Sequence, residues 1–167
     1  FVASSALLET FAARFATKVT LGGTGVRAGI ALDSLGIPSV QHLVSIDDTV
    51  RRLLPASTRY VSSATRDTLD PHLIVQYPGG ARVTAGDLDV VAPQPNRVIF
   101  ANDPPNREMR LSDALPAALE HADAFLVSGF NTMTDAALLT RRLEQLDDAL
   151  ESLPAGALVF YEDAGFY

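Results

Sequence analysis

The chain of 167 residues is 47% hydrophobic and 20% charged, the balance of a soluble globular protein with one compact domain and at most a small appendage, which excludes fibrous and disordered classes. A formal charge of -7 opposes the phosphate backbone, and basic stripes no longer than Arg51-Arg52 or Arg141-Arg142 argue against a nucleic-acid partner. The absence of cysteine rules out disulfides and thiolate metal sites and fits a cytoplasmic setting; apolar runs such as Ala124 to Val127 and Ala157 to Tyr161 fall far short of the roughly 20 residues of a membrane span.

From the N-terminus, FVASSALLETF lacks the basic n-region of a secretory signal. The spacing of Leu8, Phe11, Ala12 and Phe15 predicts a helix over residues 5 to 17, capped by Ser4 or Ser5. Lys18 to Leu21 is a short strand candidate and Gly22 to Gly25 a turn. A helix over Val26 to Leu35 follows, closed by Gly36 with Pro38 beyond it. Ser39 to Ser45 reads as a strand, and Asp47 caps a short helix ending before Pro55.

The middle changes character. His72 to Tyr77, the turn Pro78-Gly79-Gly80, Arg82 to Thr84 and Arg97 to Asn102 are short β-type segments expected to form a small sheet of their own. Helical spacing returns from Asp113 to His121, and Ala124 to Gly129 fits a buried parallel strand. Leu139, Leu143, Leu146 and Leu150 form one apolar stripe of a long helix stopped by Gly156. Ala157 to Tyr161 is the next buried strand. This alternation implies an α/β fold with a mostly parallel sheet. The chain opens on a helix without a preceding strand and stops just after a strand, so a fragment of a longer protein is expected.

Gly22 to Gly29 (GGTGVRAG) opens a helix after a strand candidate, and three readings are open. Helix N-termini attract anions, and Asp47 lies where an acid could bind a dinucleotide ribose. Alternatively, the glycines serve only a tight turn and close helix packing. Thirdly, the segment resembles the glycine pair of ribokinase-like sugar kinases, which implies that its backbone lets a sugar approach. No P-loop, H-E-x-x-H or G-x-S-x-G string occurs. Thr84-Ala85-Gly86-Asp87 lies too early, between β-type segments, to be a catalytic G-x-G-D.

LGGTGVRAGIALDSLG resembles the glycine-pair motif of ribokinase-like sugar kinases. HLIVQYPGG, APQPNRVIFANDPPN, ADAFLVSGFNTM and VFYEDA then resemble, in order, segments of the ADP-dependent glucokinase and phosphofructokinase family. The resemblance implies a ribokinase-like three-layer sandwich, with residues 1–71 and 107–167 as a partial α/β core and 72–106 as a β lid. It implies a kinase that transfers phosphate from ADP to a sugar such as glucose or fructose 6-phosphate with the help of Mg. The sugar would lie at Gly22, Gly23 and Thr24, with His72, Asp103 and Asn106 on the lid side and Arg27 available to a sugar phosphate. Glu162 matches the Glu of the family's H-x-E motif, associated with metal and phosphate, while Phe160 stands at that motif's His; the family often has Gln or Asn where Thr24 stands. The ADP site and the catalytic Asp of G-x-G-D would belong to a C-terminal segment missing here.

On residue type alone, His72 reads equally as a strand-end residue, Asp103 and Asn106 as turn formers around Pro104-Pro105, Glu162 as a cap and Arg27 as a solvated arginine. The alternative functions are a sugar-binding module without phosphoryl transfer and a dinucleotide-binding Rossmann domain.

Overall fold

The computed structural model describes residues 4–68 and 70–162. They divide into two compact units, one formed by residues 4–18 and 70–103 and the other by 19–68 and 104–162.

The smaller unit carries helix α1 (Ser5–Ala12) and strands β3 (Leu73–Tyr77), β4 (Arg82–Ala85), β5 (Leu88–Val91) and β6 (Asn96–Phe100). Ser4 caps α1 by accepting from Leu7 N, and Leu8 is its buried residue. The expected extension of this helix to residue 17 is not seen. Beyond Ala12 the hydrogen bonds shorten to three-residue turns, Arg14 N to Phe11 O and Phe15 N to Ala12 O, and Phe15 is exposed, so no buried contact rewards further helix. Val19 is likewise exposed, and Lys18 to Leu21 form no strand because no partner strand pairs with them.

Strands β3 and β6 pair antiparallel from Leu73 opposite Phe100 to Tyr77 opposite Asn96. Their alternation leaves Leu73, Val75 and Tyr77 more covered than Ile74 and Gln76. Strands β4 and β5, of which the sequence reading found only the first, form a separate hairpin. Gly86, at φ +59°, opens its two-residue loop, a conformation that glycine adopts at little cost. Gly86-Asp87 is thus a hairpin turn. Val83 stands opposite Val90 and Ala85 opposite Leu88 on one face, while Arg82 and Asp89 form a diagonal ion pair on the other.

The larger unit holds helices α2 (Thr24–Ser34), α3 (Asp48–Leu53), α4 (Pro104–Glu108), α5 (Leu115–Leu119) and α6 (Ala136–Leu150). It also holds strands β1 (Val40–Leu43), β2 (Arg59–Ser62), β7 (Ala124–Val127) and β8 (Leu158–Tyr161) and a 3-10 turn at Phe130–Thr132. Helix α2 starts at Thr24, two residues earlier than expected, because Gly23 at φ +84° ends the turn and its carbonyl accepts the first bond from Arg27 N. The other end closes as foreseen: Gly36 N bonds Asp33 O and Ile37 N bonds Leu32 O, with Gly36 at φ +73°. Asp47 caps α3 through Val50 N at 2.8 Å.

The expected single, mostly parallel sheet is not formed among the described residues. Parallel pairs β1–β2 and β7–β8 and antiparallel pairs β3–β6 and β4–β5 stand as four two-stranded sheets. Strand β8 is not the buried strand expected: Leu158, Val159, Phe160 and Tyr161 are all exposed, because among the described residues β7 is its one partner strand and no element covers either face. The core gathers instead around Met109, Leu115, Leu119, Val127, Phe130, Met133, Leu146 and Ala149. Leu139 and Leu150 flank it as the stripe on α6 implied, whereas Leu143 is exposed and Leu138 takes part in its place.

Helix α2 approaches β1 through Gly29. A Cβ there would lie 2.2 Å from Gln41 Nε2 and 3.2 Å from Ser39 Oγ, and Gln41 is itself buried. Gly29→Ala must displace the buried Gln41 amide, and the cost of overpacking, about 1–3 kcal/mol, less the ~1 kcal/mol that alanine gains in helix propensity, is expected to appear as a modestly lower urea midpoint at unchanged slope. A midpoint equal to that of the parent chain would show that the helix does not sit this close to the amide.

Candidate functional site

In the larger unit the candidate residues collect where α2 begins and β7 ends. Gly22 and Gly23 are exposed, and a Cβ on either would meet nothing within 4 Å. Glycine is required at Gly23 by its positive φ; at Gly22 the open space leaves the backbone approachable. No side chain caps the helix, so its first N–H groups are free for a ligand or water. Thr24 and Arg27 are both exposed on the opening turns.

Gly25 faces inward. A Cβ there would lie 3.3 Å from Ser128 Oγ and 3.9 Å from Gln41 Oε1. Ser128 directly follows β7, whose last pair is Val127 with Tyr161, and Glu162 N donates to Val127 O at 2.9 Å. Glu162 thus lies at the carboxyl end of the β7–β8 pair, the end that Ser128 connects to α2. Carboxyl ends of parallel strands are where α/β proteins commonly bind ligands. Gln41 and Ser128 are absent from the residues singled out by sequence. The available signals were a glutamine inside a strand whose other buried residue is Leu43, and a Ser-Gly pair ending an apolar run.

Glycine also shapes the next step of the chain. Gly129 adopts φ +91°, and a Cβ there would lie 3.0 Å from Met109 Cε, so the chain can turn from β7 into the 3-10 segment directly over the core. Asn106, on α4, belongs to this unit, and its carbonyl accepts from Thr132 Oγ1 at 2.9 Å.

The smaller unit holds the other candidates. His72 Nε2 and Asp103 Oδ2 are 2.8 Å apart. Asp103 is buried whereas His72 is partly exposed. Its hydrogen bond to Asp103 raises the His72 pKa above the usual 6.5, aided by the charges of Asp103 and Asp70 against the opposing effect of burial. Of the predicted site residues, His72 and Asp103 are therefore together in one unit; Gly22, Gly23, Thr24, Arg27, Asn106 and Glu162 belong to the other.

A second histidine behaves in the opposite sense. Burial lowers the pKa of His42 on β1, whose Nε2 accepts from Ser112 N at 2.9 Å. A neutral ring with its proton on Nδ1 satisfies this bond. Among the described residues no three acidic or histidine side chains stand close enough together to hold a metal ion, and no helix is long and apolar enough to cross a membrane.

The family model for the ADP-specific phosphofructokinase/glucokinase conserved region matches residues 1–166. No curated protein matches the chain.

Two titrations check the geometry. In NMR pH titrations His72 is expected to titrate above 6.5 and His42 below it, and Asp103→Asn should return His72 toward 6.5. An unmoved His72 in that variant would break the assignment of its partner. The stability consequences differ in sign. The contribution of His72 is full below pH 6.5 and is lost as pH rises through its raised folded value; that of His42 is full above 6.5 and is lost as pH falls toward its lowered one.

Proposed function

Because the chain belongs to the ADP-specific phosphofructokinase/glucokinase family, we propose that it is the acceptor-sugar part of a cytoplasmic sugar kinase, in which glucose or fructose 6-phosphate receives a phosphoryl group from ADP. The family match over residues 1–166 carries this reading. In it, the fold is the partial core of a ribokinase-like three-layer sandwich, residues 1–71 and 107–167, with 72–106 as the β lid. The open backbone at Gly22 and Gly23 supports placing sugar hydroxyls at the start of α2, beside Thr24. Arg27, exposed on the same turn, would meet the phosphate of a sugar phosphate. Asp103 orients the His72 ring and favours its charged form, a donor to a sugar hydroxyl, with Asn106 as a further polar contact.

Glu162 provides a single carboxylate. That suits Mg, which commonly takes one or two carboxylates and completes its shell with phosphate oxygens and water. The ion would neutralise charge on the transferring phosphate. The residues of this chain bind and orient the acceptor; the general base and the nucleotide site would come from a further segment, in keeping with the uncovered faces of β8. Phosphoryl transfer is almost entirely positioning and electrostatic stabilisation, and loss of a general base alone costs about 10² to 10⁴ in rate.

The purified chain with Mg, ADP or ATP, and glucose or fructose 6-phosphate is accordingly expected to show no turnover in a coupled assay. Turnover that persists through a control preparation without the chain's fold, such as heat-denatured protein, is excluded by design; turnover confined to the folded chain would overturn this division of labour and direct attention to Asp87 and Glu162 as bases.

A further inference from the structure

Gln41 is a polar side chain buried in a strand, with 9% of its surface exposed, and among the described residues only the Nε2 end of its amide is bonded. Nε2 donates to Ser39 Oγ at 3.2 Å. Oε1 points the other way, toward the first turn of α2, and lies 3.9 Å from where a side chain on Gly25 would begin. Ser128 Oγ reaches within 3.3 Å of the same point from the end of β7. Neither Oε1 nor the Ser128 hydroxyl has a hydrogen-bond partner among the described residues. An acceptor and a hydroxyl left unengaged beside an open helix start are available to an incoming donor.

The chemistry of that donor is restricted. The uncapped start of α2 offers N–H groups, which by themselves would suit any anion. A carboxamide oxygen beside them changes the requirement, because an anion without a proton, such as sulfate or the dianion of a phosphate monoester, can accept from the amides but cannot donate to Oε1. A hydroxyl does both. We infer that Gln41 and Ser128 are sugar-hydroxyl contacts, with Oε1 accepting from a hydroxyl and Ser128 Oγ donating to or accepting from a neighbouring one. Gly25 keeps the space between them free of a side chain. This inference rests on the acceptor-sugar reading above and adds two positioning residues to it, from β1 and from the end of β7.

The test is a chemical-shift titration of the isotope-labelled chain with D-glucose and with fructose 6-phosphate. The side-chain amide resonances of Gln41 are expected to move with whichever sugar binds. Ser128→Ala, which removes one hydroxyl and no packed carbon, should weaken that sugar by about five-fold, the equivalent of one ordinary hydrogen bond. Gln41→Met should weaken it at least as much; Ser128→Ala keeps the test decisive if the strand substitution impairs folding. Glu144→Gln, on the exposed side of α6, should leave affinity unchanged. Sulfate, which has no proton to donate, should leave the Gln41 resonances in place. Sugar binding that is indifferent to Ser128→Ala with a static Gln41 amide would overturn the inference alone, as would an equal response to sulfate. Absence of binding by either sugar would overturn the inference together with the acceptor-sugar reading.

Discussion

Helix α2 and strand β1 meet where one has no side chain and the other has a buried amide, and the remaining arrangement of the larger unit follows from how near that lets them come. Gly29 leaves the space that the Gln41 side chain fills. With the helix held this low, its opening turn reaches the end of β7, and Gly25 comes against Ser128. A helix kept about one methyl group further out would still be a helix, since glycine is the poorest helix former after proline and alanine would improve local propensity. The glycine is therefore retained against propensity by what lies beneath it. Local preference and tertiary fit conflict at this position, as they often do where a structure serves a site.

Charge plays a smaller part in holding the fold. Arg51 makes a bidentate pair with Asp67, at 2.6 and 2.7 Å, and ties α3 to the segment after β2, where Ser45 also bonds Thr68. Both pairing groups are substantially exposed, so solvent screening limits the pair to a modest contribution. Ser57 bonds Asp33 near the far end of α2. The organising forces are instead the cluster around Phe130 and Leu146 and the glycine-mediated close approaches. These act over short distances, as between α2, β1 and the end of β7.

Much of this was legible in the residues, and the failures have identifiable causes. Caps and stops act locally, so Asp47, Gly36 and the glycine turn before α2 were readable from neighbours alone. The order of strands and helices was largely visible for the same reason. Strand β2 was not, because Arg59 to Ser62 shows little apolar alternation and is a strand through its pairing with β1. Burial of β8 was wrongly expected because an apolar run reveals what a strand could bury, not whether anything covers it. Among the candidate residues, the glycine pair announced itself, and the His72–Asp103 pair came from resemblance and is joined across 31 positions of sequence. Gln41 and Ser128 gave no comparable signal: a lone glutamine and a lone serine acquire meaning only when folding brings them to one helix turn.

The β4–β5 hairpin bears on the order in which the chain organises itself. Its strands are joined by two residues, and its loop glycine already occupies the positive-φ region, so closure costs little chain entropy and belongs to the microsecond class of events. The β7–β8 pair is different, for its partners meet only across the whole of α6. During synthesis the hairpin can form as soon as it clears the ribosome. The strand that Ser128 follows must wait until α6 and β8 have been made, leaving the candidate site among the last parts of the chain to acquire its geometry.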